Sequence, residues 1–497
     1  MQPAATQTDS QSQTFFDPDF GSALDAAAAI RARKISAVEL TEHIFRRIDA
    51  FQPKLNAYVY QLREQALEQA RQADEAITRN RATGVFHGVP INVKESFGVQ
   101  GQPCTWGLPG LKDSKAPANA VAVRRLLDAG SILLGATNVP LNLMDGQSFN
   151  DIYGTTNNPW DLARTPGGSS GGSAASLAAG LAFLSIGSDI GGSIRTPCAF
   201  CGVYGHKPTL DIMCQTGHLP GGVHSDPGFS TLLAVGGPMA RSAEDLDAAL
   251  RILAGPEPPD SKAFQWTLPA PRHQRLSDYR VGYLLEDPAV PVSAETKVVL
   301  EAAIHACEKA GAKLKAGWPE NFQFQEMLDV YLFLLGAFDF SVMPRERQQK
   351  LRPRLAARSD MLAQGMLTDF AQWQWRNRKR LAYRALWEKF FETVDVFLLP
   401  TAFTTAFPHD RTPQDARMIP MPEGGALPFW NITSYIAPAT LTGCPATTAP
   451  AGLSKSGLPV GLQIVGPYLE DATPIAFAGL LAREIGGFLQ PPDFGGI

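Results

Sequence analysis

The chain has 497 residues, with 44 Lys and Arg against 48 Asp and Glu, a net charge of −4 at neutral pH. There is no basic surplus to attract phosphate, so nucleic acid is not an expected partner. Apolar residues make up 44% and charged residues 19%, which excludes a disordered chain, and at about 150 residues per domain the length admits three domains.

The opening MQPAATQTDSQSQT is polar and lacks the basic start, apolar stretch and cleavage site of a secretory signal. Residues 1–20 are expected to form a disordered or extended tail, and the chain is expected to be cytoplasmic. Residues 21–80 read as amphipathic helices. In GVPINVKES, Val89, Ile91 and Val93 alternate with Pro90, Asn92 and Lys94, as on a half-buried strand; this sets Lys94 beside Asn92 on the opposite face. AVAVRRLLDAG then reads as helix and SILLGATN as strand.

The uncharged run after Arg164 contains an apolar part, Ala174 to Gly187, of about 14 residues. A membrane span needs roughly 20, so a buried helix is expected and no span. The Pro-rich stretch 254–274 reads as a surface excursion or joint. Helical patterns return in ETKVVLEAAIHACEKAGAKL and across 325–395, where QEMLDVYLFLLGAFDF is apolar almost all round and reads as core before pocket wall. VDVFLLPT and GLPVGLQIVG read as buried strands. Helix and strand patterns mixed along the whole length, without internal repeats, argue for an α/β protein.

Six cysteines, at 104, 198, 201, 214, 307 and 444, are too sparse for a disulfide framework. Cys198 and Cys201 form a C-x-x-C pair, read as packing because no second pair and no H-E-x-x-H accompany it. No metal and no cofactor are expected.

Chemistry concentrates where glycine does. Eight glycines fall between 167 and 193, in PGGSSGGSAASLAAGLAFLSIGSDIGGSIRTP. Backbone N–H groups of such a run can approach a phosphate or a developing oxyanion without obstruction. The chain contains no Gly-Lys dipeptide and no GxGxxG spacing, which disfavours phosphate. Residues 167–171 match G-x-S-x-G, the nucleophile elbow of α/β-hydrolases, and histidines follow at 206, 218, 224, 273, 305 and 409, so an esterase using Ser169 stays open.

Taken together, HGVPINVKE, GGSSGGS and DIGGSIRTPCAFCGVYGHKPT resemble the amidase signature family, and YGTTNNPWD, GATNVP, DVFLLPT and GLPVGLQIVG extend the likeness over residues 22–487. The resemblance implies a central mixed, twisted β-sheet covered by helices on both sides. It also implies one domain over 21–490, with N-terminal helices and a variable helical pocket or lid region at about 320–390.

The resemblance assigns a Ser-cisSer-Lys trio. Ser193 would be the nucleophile, Ser169 the bridging serine after a cis peptide, and Lys94 the base. Ser193 follows Ser169 by the family's spacing of 24 residues. Backbone N–H groups of Ile190, Gly191, Gly192 and Ser193 would form the oxyanion hole. Ser170 would support the lysine, while Asp189 and Arg195 would serve as scaffold. Glu95, Ala136 and Leu141 depart from the family's usual Asp, Lys and Glu, and bear on substrate alone.

The expected activity is hydrolysis of carboxylic amide C–N bonds through an acyl-enzyme, with apolar or aryl acyl amides, and carbamates, as small-molecule substrates. The A subunit of a tRNA-dependent glutamine amidotransferase is the alternative. Self-association into a homo-oligomer is left open.

Overall fold

Short apolar runs bounded by Gly, Pro and Asn give eleven strands that join one mixed sheet. They are β1 Tyr58–Gln61, β2 Pro90–Lys94, β3 Ile132–Thr137, β4 Leu184–Asp189, β5 Tyr204–Lys207, β6 Val235–Ala240, β7 Arg280–Tyr283, β8 Lys313–Ala316, β9 Val396–Pro400, β10 Ala446–Leu453 and β11 Pro459–Val465. Their order across the sheet is β1-β3-β2-β4-β6-β5-β10-β11-β9-β7-β8. The β3, β2 and β4 strands run parallel to one another, while β6, β5, β10 and β11 join antiparallel to their neighbours. The computed structural model describes residues 16–81, 84–222, 232–257, 259–343 and 345–496.

The principal helices for the site are α1 Ala23–Arg31, α2 Ala37–Leu55, α3 Arg63–Thr78, α4 Gly171–Ala178, α5 Arg195–Cys201, α6 Phe324–Ser341, α7 Met361–Met366 and α8 Phe370–Phe390. Ser36 and Glu39 close a capping box at the start of α2, whose buried face carries Leu40, Ile44, Ile48, Phe51 and Leu55. The α/β architecture expected from the alternation of patterns is the one observed.

Several expectations need correction. The stretch 21–80 is interrupted by β1, a four-residue edge strand too short to register as a period. The apolar run from Ala174 is not one helix: Gly180 takes φ +68, α4 stops at Ala178, and the remaining apolar residues enter β4. The β2 strand is buried on both faces and not on one. Its alternation still holds, because Asn92 donates to Tyr58 Oη and Ser176 Oγ while Lys94 reaches serines on the same side.

Residues 1–15 of the expected tail lie outside the described residues. Phe16 stacks on Phe183, and Asp19 pairs with the buried Arg47, so 16–20 are packed onto the body. Residues 259–265 of the Pro-rich stretch are exposed.

Two apolar clusters flank the sheet. One gathers α1 to α3 with β2, β3 and β4. The other packs Met327, Tyr331, Leu334 and Leu335 of α6 with Trp387 of α8 and Phe397 of β9. No helix among the described residues is long and apolar enough to cross a membrane.

Candidate active site

Lys94 closes β2, and Ser188 and Asp189 close the neighbouring parallel strand β4. Parallel strands deliver their carboxyl ends to one side of a sheet, where α/β proteins place their ligands. Between β4 and α5 runs Ile190-Gly191-Gly192-Ser193-Ile194, and just ahead of α4 lie Ser169 and Ser170. The Gly168–Ser169 peptide is cis.

The Lys94 side chain is completely buried. Its Nζ donates to Ser169 Oγ at 2.6 Å and to Ser188 Oγ at 3.0 Å. Burial drives its pKa down to about 7, against a smaller upward pull from Asp189. A lysine so placed is neutral in much of the enzyme at neutral pH and can accept a proton.

Asp189 holds the segment that carries Ser193. Its carboxylate accepts from the backbone N–H groups of Gly192 (3.0 Å) and Ile194 (3.1 Å) and pairs with Arg195 Nη2 at 2.7 Å. Burial alone would raise this carboxyl, but the charge and hydrogen bonds of Arg195, with the Ile194 N–H, outweigh it and hold the pKa at about 2. Arg195 in turn donates to Ile436 O, Gln463 Oε1 and Thr440 Oγ1 at 2.6–2.8 Å.

Two adjoining chambers meet at Ser193. One, of about 340 Å³, is lined by Ser169, Ser188, Trp106, His218, Phe338 and Val342; the other includes Gly191, Thr196, Leu335, Phe429, Trp430 and Thr433. Leu143, Met144, Ile190, Ser193 and Asp339 border both. Tyr331 Oη donates to Ile190 O at 3.0 Å and so fixes α6 against the glycine segment.

The structure thus brings Lys94, Ser169, Ile190, Gly191, Ser193 and Asp189 to one cleft. Ser170 stands differently from expectation. Its hydroxyl donates to Ser188 O at 3.4 Å and its N–H to Ser193 O, and the second hydroxyl on Lys94 belongs to Ser188. Of the four backbone N–H groups expected to face an oxyanion, that of Gly192 is already engaged by Asp189.

Sequence reading missed Ser188 and Asp339. The signal for Asp339 was a lone acid in FLLGAFDFS near a helix C-terminus, where the macrodipole disfavours negative charge. The segment 325–340, read as core before pocket wall, is both: Met327 and Tyr331 are core, whereas Leu335, Phe338 and Asp339 line the cleft.

Other candidates fall away from the cleft. Cys198 and Cys201 are buried free thiols that point to the carbonyls of Tyr204 and Pro166. Glu95 binds the N–H groups of Thr105 and Trp106, anchoring the loop that carries Trp106 to the cavity. Among the described residues no group of His, Cys, Asp and Glu is arranged to hold a metal.

A buried lysine that closes a parallel strand and bonds to one serine, with a second serine in the loop after the neighbouring strand, is a set of groups suited to nucleophilic acyl chemistry. The chain belongs to the amidase signature family, and the family profile named Amidase matches residues 39–474. It is therefore a hydrolase of carbon–nitrogen bonds. That family is distinct from the α/β-hydrolases; here Ser169 bonds to Lys94, and the cavity histidine, His218, bonds to Ser96.

The chain is 32% identical to an indoleacetamide hydrolase of Bradyrhizobium diazoefficiens, over 93% of this chain and 86% of that one. It is 30% identical to the glutamyl-tRNA(Gln) amidotransferase A subunit of Trichormus variabilis, over 92% and 96%. Among solved structures, a bacterial aryl acylamidase of the amidase signature family superposes with a TM-score of 0.78 at 25% identity, covering 94% of this chain and 97% of that one.

Proposed function

We propose that the protein is a stand-alone amidase that cleaves apolar or aryl acyl amides, with carbamates as a second substrate class, through an acyl-enzyme on Ser193. The observation that carries this reading is the buried Lys94 Nζ at 2.6 Å from Ser169 Oγ, beside a cavity that Ser169 and Ser193 both border. Ser193 Oγ attacks the carbonyl carbon and its proton passes through Ser169 to Lys94. The carbonyl oxygen takes negative charge and is met by the N–H groups of Ile190, Gly191 and Ser193. The C–N bond breaks as Lys94 returns the proton through Ser169 to the leaving amine. Water then enters along the same relay and releases the carboxylic acid.

The wall chemistry supports an apolar substrate. Trp106 and Phe338 line one chamber, and Phe429, Trp430 and Ile432 line the other. The amidotransferase reading is favoured by relatives of that name, but a glutamine substrate needs a cation for its α-carboxylate, and neither chamber has Lys or Arg among its described lining residues.

A fluorophosphonate probe followed by peptide mass spectrometry is expected to label Ser193, and Lys94→Ala is expected to abolish anilide hydrolysis by the protein purified alone. Label on Ser169, or glutaminase activity exceeding anilide hydrolysis, would overturn the proposal.

A further inference from the structure

The α6 helix carries one ionisable group into the cleft. Asp339 is 8% exposed, borders both chambers, and lies among Leu335, Phe338, Ile190 and Val342. No hydrogen bond or salt bridge to its carboxyl occurs among the described residues. The nearby acid Asp145 differs, being paired with Arg417 at 2.7 Å. Asp189, the third carboxylate of the cavity, is satisfied by Arg195 and backbone N–H groups.

Among the described residues, no partner gives that carboxyl a structural bond. An unpaired buried acid costs free energy that an apolar residue of like volume would not. Burial has pushed its pKa up to about 7, and it sits in the last turn of α6, where the helix dipole also opposes its charge. Both costs are offset when a positive group enters the cleft, because a cation at hydrogen-bond distance favours the carboxylate and pairs with it. Local conflicts of this kind in a cavity mark ligand contacts.

We propose that Asp339 is the specificity-determining residue of the cleft and receives a basic nitrogen of the substrate, so that the preferred amide carries an amine besides its scissile C–N bond. The rest of the wall suits the same group. Trp106 and Trp430 place aromatic rings in the two walls, Leu335 and Phe338 give apolar surface for the carbon chain that bears the ammonium, and no Lys or Arg among the described lining residues repels it. The proposal rests on the amidase reading above and names the substrate class of that same site.

Two matched pairs test it. In the first, the acyl group differs: 5-aminopentanoyl against hexanoyl p-nitroanilide. In the second, the leaving amine differs: the propionamides of 4-(aminomethyl)aniline and 4-ethylaniline. Each pair exchanges an ammonium for a methyl group, and hydrolysis is followed by product quantification. The wild type is expected to favour the amine-bearing member of one pair by about tenfold or more in kcat/KM, and the favoured pair tells which product side faces Asp339.

Asp339→Asn and Asp339→Leu are both expected to collapse that ratio by about tenfold, with the neutral member overtaking in Asp339→Leu. A wild-type ratio near one in both pairs, or variants that lose activity on both members equally, would overturn the proposal while leaving the amidase reading intact. Failure of the wild type to hydrolyse any of the four, with Ser193 unlabelled by fluorophosphonate, would overturn both.

Discussion

Lys94 Nζ and Ser169 Oγ lie 2.6 Å apart, both shielded from solvent. On the proposed mechanism, that pairing makes the ionisation of one buried lysine the control on activity. With the Lys94 pKa at about 7, the neutral form accepts a proton above that value and the ammonium cannot below it. The kcat/KM of anilide hydrolysis is expected to fall about tenfold per pH unit below pH 7 and to level off above it. A rising limb centred near 10 would mean that the lysine is not held neutral by burial.

The same burial has a thermodynamic side. The folded pKa of Lys94 lies below that of an unfolded lysine, so the cost of the buried cation is full at pH 7 and below and fades as pH rises towards 10.5. Lys94→Met is therefore expected to lose at least about 10³-fold in kcat/KM and yet to melt at a higher temperature than the wild type at pH 6, with the gap closing towards pH 10. Calorimetry across that range checks the sign; a variant less stable at pH 6 would contradict it.

Ser188 holds the other side of the lysine at 3.0 Å. On the proposed mechanism it positions Lys94: Ser188→Ala is expected to lower kcat/KM about tenfold, well short of the loss in Lys94→Ala. Ser188→Thr, which keeps the hydroxyl, is expected to recover most of it. Equal losses in Ala and Thr variants would show a packing role in place of a hydrogen bond to Lys94.

Arg195 and Asp189 form a fully buried pair at 2.7 Å. Arg195→Met leaves the Asp189 carboxylate without its cation, and removing one member of such a pair typically costs about 3–5 kcal/mol. The urea midpoint of the variant is expected to drop accordingly. Full stability with full activity would show that Asp189 finds compensation elsewhere.

Neighbouring glycines should respond in opposite ways. A Cβ on Gly192, which has φ +90, would meet Thr196 Oγ1 at 2.7 Å, whereas one on Gly191 meets nothing nearer than Tyr331 Oη at 3.6 Å. Gly192→Ala is expected to be destabilised and inactive. Gly191→Ala is expected to fold with an unchanged melting temperature and to discriminate against bulky acyl groups. Thermal melts with a graded series of acyl anilides measure both.

Much of the site was legible because its groups sit in contiguous motifs. Lys94, Ser169 and Ser193 stood out because HGVPINVKE, GGSSGGS and DIGGSIRTP resemble the amidase signature motifs; strand alternation and glycine content alone single out none of them. What escaped depends on tertiary neighbours. Ser188 in LSIGSD is unremarkable until β2 and β4 lie side by side, and only then does its hydroxyl, not that of Ser170, meet Lys94.

The engagement of the Gly192 N–H follows from the fold of one loop back onto Asp189, which spacing does not reveal. The fold was legible in its strands wherever apolar runs were long. It was missed at β1, whose four residues make an edge strand beside β3, and between α4 and β4, where one apolar stretch serves two elements.

The grip on Arg195 also sets an order in time. The serine segment emerges early in synthesis, but the oxygens of Ile436, Thr440 and Gln463 that hold its arginine lie 241 to 268 residues further on. At a synthesis rate of about 5–20 residues per second, a nascent chain carries its glycine-rich segment for roughly ten seconds or more before those contacts can form. The frame around Ser193 is thus deferred until nearly the whole sheet has been assembled, and a ribosome-bound fragment ending before residue 436 would display that serine without the contacts that aim it.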